Sequence, residues 1–200
     1  FFGSYIELAK STSIDSVYIA TPHTEHNKNA IICLEHGKAV LCEKPFAVNA
    51  SQVKQMIQKA KEENMLLMEG MWSRFPPLME KVRNIIANHE IGEIRTIHAD
   101  FGFRPETKNI EGRLFNPKLA GGSLLDVGIY PVSLSFMLNG KPDSFVTDWT
   151  IGETGVDEQA SIIFKYLNGS MAVLHSSIQS DTGQEAFISG TEGTIRIHKQ

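Results

Sequence analysis

Three stretches of this sequence carry side chains that can move protons or grip a polar ligand. In Glu43-Lys44-Pro45 a lysine follows the apolar run Val40-Leu41-Cys42 directly, and a proline fixes the chain behind it. An amine with so little freedom suits acid–base chemistry once it is partly desolvated; a solvated lysine on a loop reads equally well from the local sequence. In Gly121-Gly122-Ser123-Leu124-Leu125-Asp126-Val127-Gly128-Ile129-Tyr130-Pro131 the glycines allow a close backbone approach. Asp126 and Tyr130 stand four apart, on one face of a helix. A phenol can exchange a proton with a substrate oxygen when a cation lies near. The plainer alternative makes Asp126 an N-cap and Tyr130 a packed aromatic, and Pro131 suits a helix that is only starting. Third, Trp72, Arg74 and Phe75 follow Glu69-Gly70-Met71. Aromatics can flank a ring-shaped ligand and an arginine can bind hydroxyls or a phosphate, though a hydrophobic seam between domains would use the same residues.

The elements that must position these groups are legible in the periodicity. Val17-Tyr18-Ile19-Ala20, Val40-Leu41-Cys42 and Met65-Leu66-Leu67-Met68 are short apolar runs, as in strands buried on both faces. They end at Thr21-Pro22-His23, Glu43-Lys44-Pro45 and Glu69-Gly70. Between them lie two helical patterns. Thr24 is expected to cap the first, with Ala30, Ile31 and Leu34 on its core face and Gly37 as its stop. Asn49 is expected to cap the second, with Gln52 as a capping-box partner and Val53, Met56, Ile57 and Ala60 inward. Alternation of strand and helix implies a parallel sheet, with ligands outside the carboxyl ends of its strands. After about residue 70 the pattern changes. Pro76 and Pro77 open a helix bearing Leu78, Val82, Ile85 and Ile86. A strand then places Thr96, His98 and Asp100 opposite Ile97, Ala99 and Phe101, and a helix follows over 126–138. Strand-like runs cover 143–151, 158–166, 170–179 and 185–189, with a hairpin signal at Asn168-Gly169. The expected fold class is α/β plus α+β: residues 1–70, then residues 71–200 as a large open, mostly antiparallel sheet with helices on one face.

Composition bounds the function. The 200 residues are 42% hydrophobic and 21% charged, with net charge -4 and no basic run, so a nucleic-acid partner has no electrostatic footprint. No apolar stretch is expected to reach the roughly 20 residues of a membrane span. Cys33 and Cys42 read as buried free thiols of a reducing, cytoplasmic setting. His23 and His26 are three apart without a matching carboxylate or cysteine cluster, which suits a helix start or ligand contact better than a metal site. The sequence opens at Phe1-Phe2-Gly3 and closes on a strand-like run, and both ends are expected to be missing, so no leader is visible.

Taken in order, Ala20-Thr21-Pro22-His23 with His26, Gly37-Lys38, Glu43-Lys44-Pro45, Glu69-Gly70-Met71-Trp72 with Arg74-Phe75, Ile91-Gly92-Glu93, and Gly121-Gly122 through Tyr130 form a specific set. The chain resembles the glucose-fructose oxidoreductase, inositol dehydrogenase and rhizopine-catabolism family over essentially its whole length. Met-Trp-x-Arg-Phe and Tyr130 resemble the dimeric dihydrodiol dehydrogenase and NADP-linked xylose dehydrogenase branch; many relatives have histidine where Tyr130 stands. The resemblance implies an incomplete Rossmann domain over 1–70, lacking its first strand and glycine-rich loop, and a substrate and oligomerisation domain over 71–200.

It further implies NAD or NADP, with NADP suggested by the branch, held by Thr21, Pro22, His23, His26, Glu43, Lys44, Pro45, Trp72 and Arg74. Lys44, Asp126 and Tyr130 become the catalytic set, and Trp72, Phe75, Asp126 and Tyr130 meet the substrate. The expected reaction is hydride transfer between the nicotinamide and a carbinol carbon of a sugar, polyol or cyclic diol. In it Tyr130 exchanges the hydroxyl proton, Lys44 steadies the phenolate and Asp126 orients Lys44 or a neighbouring hydroxyl. No metal, nucleic acid or membrane is expected as a partner, and a homodimer or homotetramer through the open sheet face is. Two rivals carry over: an NAD-dependent glycosidase of the same fold, and a nucleotide-binding sensor without turnover. Without the glycine-rich loop this stretch alone is expected to bind cofactor poorly.

Overall fold

The structure, a computed structural model, describes residues 1–199 and divides into two compact units. The first comprises Phe1–Met71 with Lys118–Ala120; the second comprises Trp72–Pro117 and the chain from Gly121 on.

In the first unit β1 (Ser16–Ile19), β2 (Ala39–Glu43) and β3 (Leu67–Gly70) form a parallel sheet in that order. Helices α1 (Tyr5–Lys10), α2 (His26–Glu35) and α3 (Ala50–Glu62) complete it. Helix α1 escaped the sequence reading: six residues with one buried side chain, Ala9, give almost no periodicity, and its signal is the cap, Ser4 Oγ accepting from Glu7 N. The cap of α3 is as expected, with Asn49 Oδ1 accepting from Gln52 N at 3.0 Å. Gln52 answers one residue early, accepting from Val48 N at 3.4 Å. Thr24 caps nothing. It lies in a 3-10 turn, His23–Glu25, that leads into α2, whose N-terminus has no side-chain cap. Gly37 does end α2 with φ 68, placing Lys38 N on Cys33 O at 3.0 Å.

Among the described residues one face of this sheet is packed. Val40, Cys42, Ile19, Leu34 and Met56 share a core, whereas Tyr18, Leu41 and Met68, paired in register across the strands, stand exposed on the other face. An apolar run reads alike whether or not both faces are covered. Both cysteines are buried free thiols. Burial raises Cys33, and pushes Cys42 up to about 12, with the Glu69 and Glu43 carboxylates adding to the effect. Neither thiol should therefore react with a disulfide reagent in the native protein at neutral pH, and both should react in denaturant; a fast native reaction would contradict this burial.

In the second unit α4 (Pro77–Ala87) and α5 (Ile129–Asn139) pack on a six-stranded mixed sheet. Its strands are β4 (Ile94–Gly102), β5 (Ser144–Ile151), β6 (Asp157–Lys165), β7 (Met171–Ser177), β8 (Ala186–Gly190) and β9 (Thr194–Ile197), in the order β5-β6-β7-β4-β8-β9. Only β4 and β7 pair in parallel. Alternation along β4 is as read, with Ile97 and Ala99 inside. On α4, Met79 rather than Leu78 faces the core. The Asn168-Gly169 hairpin is real, but only Gly169 takes a positive φ, 82°, and Gly169 N bonds Tyr166 O at 2.9 Å. That suits an ordinary turn followed by a left-handed glycine better than a mirror-image two-residue turn, which needs both residues at positive φ.

One membrane expectation needs correcting. Pro117–Asn139 is, by length and composition, apolar enough to cross a bilayer. Within it Asp126, Val127, Pro131 and Ser135 are buried in the second unit, and the Asp126 carboxylate is ion-paired with Arg113.

Candidate active site

Two of the three strand ends of the first unit lack a backbone donor, because Pro22 and Pro45 have no N–H. Side chains make up the difference. His26 is fully buried, with Nδ1 2.8 Å from Pro45 O and Nε2 2.9 Å from Thr21 O. Asn29 Nδ2 donates to Thr21 Oγ1 at 3.3 Å. The buried His23 ring stands edge-on to His26, centroids 5.8 Å apart, and its Nδ1 lies 3.3 Å from Ala120 O. Lys44 and Glu43 are half-buried at the end of β2. Lys44 N donates to Glu43 Oε2 at 3.1 Å, the Tyr18 hydroxyl donates to Glu43 Oε1, and the Lys44–Pro45 peptide is cis. Phe46 N donates to Glu69 Oε1 at 3.0 Å, which ties this turn to β3. Gly70 has a structural reason, since a Cβ there would stand 3.2 Å from Cys42 O.

In the second unit Tyr130, at the second residue of α5, lines a cavity of about 380 Å3 together with Trp72, Phe101, Leu134, Met137 and Ala186. Arg74 lies on the same wall. Trp72 Nε1 donates to the Tyr130 hydroxyl at 3.1 Å, and the Phe101 ring centroid lies 5.2 Å from that of Tyr130. Two aromatic rings thus set the phenol's direction while the indole fixes its oxygen. Phe75 is 61% exposed and is not among the cavity's lining residues.

Asp126 is buried inside a π-helical turn, Leu124–Gly128, that precedes α5. It is not the N-cap of the plainer reading. That task falls to Asp157, whose Oδ2 accepts from Ser123 Oγ at 2.8 Å and Leu124 N at 2.7 Å. The Asp126 carboxylate instead holds the guanidinium of Arg113, from the loop after β4. Arg113, Asp157 and Phe101 are the functional neighbours the sequence reading missed. Phe101 was visible as a core-face residue, but nothing local marks the other two as partners of the 121–130 stretch. The close approach allowed by the glycines is to this same loop: a Cβ on Gly121 would lie 2.6 Å from Leu114 O and 2.9 Å from Arg113 O.

The loop is itself anchored by an ion pair. Lys108 Nζ lies 2.8 Å from Oε1 of the buried Glu158, and Gln179 Nε2 donates to Glu158 Oε2 at 2.8 Å. Burial pushes the Glu158 carboxyl up, but the Lys108 amine and Gln179 amide outweigh it and leave the value below the ordinary 4.5. A carboxyl lowered by folding stabilises the native state fully above its unfolded value, and that stability is lost as pH falls through the folded one. Acid denaturation of Lys108→Met should therefore be less steep below about pH 4.5 than that of the unaltered protein. Identical acid limbs would remove the pair from the account. Among the described residues no group of three or more His, Cys, Asp or Glu is arranged to hold a metal ion.

Residues 1–71 match the oxidoreductase family with an NAD-binding Rossmann fold, and residues 79–196 match the GFO/IDH/MocA C-terminal domain. The chain belongs to the GFO/IDH/MocA family. Among its relatives, the trans-1,2-dihydrobenzene-1,2-diol dehydrogenase of Mus musculus is 42% identical over 200 residues, covering 99% of this chain and 59% of the relative. The Homo sapiens enzyme of the same name is 38% identical, with 98% and 58% covered. The chain therefore spans less than two thirds of the length of these relatives. An aldose-aldose oxidoreductase from Caulobacter crescentus, complexed with glycerol, superposes with a TM-score of 0.91 at 25% identity over 98% of this chain and 60% of its own. A 3-ketoreductase from Actinomadura kijaniata, in complex with NADP and TDP-benzene, gives 0.89 at 25% identity, with 99% and 61% covered. The expected family, fold class and order of the two architectures are thus found.

Proposed function

We propose that the full-length protein is an NAD(P)-dependent dehydrogenase acting on a secondary hydroxyl of a cyclic diol or sugar. The observation that carries this is Tyr130: a phenol whose oxygen is fixed by Trp72 in a largely apolar cavity of about 380 Å3, the size of a small cyclic substrate. A bound nicotinamide supplies the hydride acceptor. The chain's residues supply the rest. Tyr130 takes the proton of the substrate hydroxyl, Lys44 stabilises the resulting phenolate, and Asp126 with Arg113 fixes the chain from which Tyr130 projects. Trp72 bounds the substrate ring. Thr21, Pro22, His23, Glu43, Lys44 and Pro45 line the nicotinamide side, with Trp72 and Arg74 completing it. The donor set fits such a ligand. Asn29 Oδ1 is buried without a hydrogen-bond partner, an acceptor that a carboxamide or an ordered water would satisfy.

The relatives' names favour a dihydrodiol over a free sugar, and the NADP-bound ketoreductase favours NADP over NAD. The test is direct. The full-length protein, given trans-dihydrobenzenediol or an aldose panel with NADP or NAD, should reduce the nicotinamide, fastest with the diol and NADP. Release of an aglycone with no change in nicotinamide absorbance would replace this reading by the glycosidase, and binding without turnover by the sensor.

The outer sheet face supports self-association. Val146, Ile163, Val173, His98, Phe187 and Arg196 lie side by side across all six strands, with the Arg196 guanidinium 5.0 Å from the Phe187 ring centroid. Four apolar groups in a row with His98 and Arg196 at the middle of this sheet face suit a twofold contact. Val173→Glu should turn the dimer or tetramer into monomer by light scattering; an unchanged mass would place the contact elsewhere.

A further inference from the structure

We infer that His26 is a positioning residue for Lys44, acting through the backbone of the turn that presents the amine rather than by touching a ligand. This rests on the role proposed above for Lys44. His26 is the first residue of α2, and its neighbours one and two turns on, Ala30, Cys33 and Leu34, are fully packed in the core of the first unit, so its backbone is fixed. Its ring is 0% exposed. One edge reaches Pro45 O at 2.8 Å and the other reaches Thr21 O at 2.9 Å. Carbonyl oxygens only accept and a neutral imidazole carries one hydrogen, so a neutral ring bonds one carbonyl at a time, and the tether inferred here is the tautomer with hydrogen on Nδ1, facing Pro45 O. Both nitrogens face backbone, and none is directed at a cofactor. The rigid ring therefore acts as a spacer between the turn after β1 and the turn after β2.

Those turns need one. Pro22 and Pro45 give no N–H to bond across the gap. On its far side the Lys44 turn is held by Phe46 N on Glu69 Oε1 at 3.0 Å. Remove His26 and the near side of the turn loses its tether, one residue from the Lys44 Cα. A displacement of about 1 Å at a reacting group can lower turnover about a hundredfold.

The two ring nitrogens can be tested separately. The side-chain nitrogen of asparagine takes the place of Nδ1, and that of glutamine the place of Nε2. In the full-length protein His26→Asn should keep the bond to Pro45, His26→Gln should bond only Thr21, and His26→Phe should bond neither while filling the volume. The expected order of kcat is wild type close to Asn, with Gln and Phe at least about tenfold lower, against little change in diol KM. Amide hydrogen exchange, which needs no substrate, should show the amides of Lys44 and residues 46–48 less protected in the Gln and Phe variants than in Asn. Equal loss in Asn and Gln, or wild-type exchange and turnover in Phe, overturns the inference, as does kcat falling only in step with thermal stability. Should the wild type turn over no diol or sugar while the exchange pattern holds, the tether stands and the dehydrogenase reading fails.

Discussion

Tyr130→Phe in the full-length protein is expected to lower kcat at least about a hundredfold, the lower end of what a positioned general acid–base contributes. The change suits a clean measurement. Phenylalanine keeps the ring that packs 5.2 Å from Phe101 and 6.1 Å from Trp72, so the cavity wall survives. It removes only the oxygen that accepts the Trp72 N–H, and Trp72 is 55% exposed, so water can take over that donor. Stability should therefore barely move. Lys44→Met should cost a similar factor, because an amine that steadies a phenolate matters only while the phenolate forms. If the two act as one unit, the double variant should be little worse than either single one, since neither group works without the other. Turnover near wild type in both single variants would remove the pair from the chemistry. Multiplying losses in the double variant would separate the two roles instead.

How much of this was legible in the sequence depends on the range of each interaction. The alternation of strand and helix in the first unit, the Asn49 cap and the alternation along β4 all rest on neighbours within a few residues, and period and cap chemistry carry them. Lys44 at the end of β2 followed from the same local logic. The reading was weakest where a side chain's partner lies far along the chain. The Arg113 partner of Asp126 is of this kind, because the glycine pair lets the 121–126 backbone settle against Arg113 and Leu114. The cap is supplied by Asp157 from another strand, and an irregular π-helical turn hides the spacing that would have announced it. For His26 the motif offers a helix start or a ligand contact, and it does begin α2. Only coordinates show two carbonyls on either side of its ring.

The glycine at 122 offers a second large effect, this time on folding. It sits at φ 122, where an L side chain is strained, and a Cβ there would lie 2.1 Å from Asp157 Oδ1. Gly122→Ala should therefore act twice. The backbone strain costs about 1–3 kcal/mol. Pushing the Asp157 carboxylate aside removes its bonds to Ser123 Oγ and Leu124 N, and hydrogen bonds to a charged group are worth about 1.5–3 kcal/mol each. A total loss of at least about 3 kcal/mol is expected by denaturant titration. Gly140 supplies the control. It also has a positive φ, 73°, with ψ -156°, a region essentially confined to glycine, but a Cβ there meets nothing within 4 Å, so Gly140→Ala carries only the backbone penalty of about 1–3 kcal/mol. The excess at 122 measures the Asp157 contact. Because that contact starts the turn leading to Asp126 and Tyr130, the alanine at 122 should also depress kcat at temperatures where the protein remains folded, and the alanine at 140, at the far end of α5, should not. Equal stability losses at the two sites would mean that Asp157 gives way freely, and that the turn beneath Tyr130 is held by Arg113 and Asp126 instead.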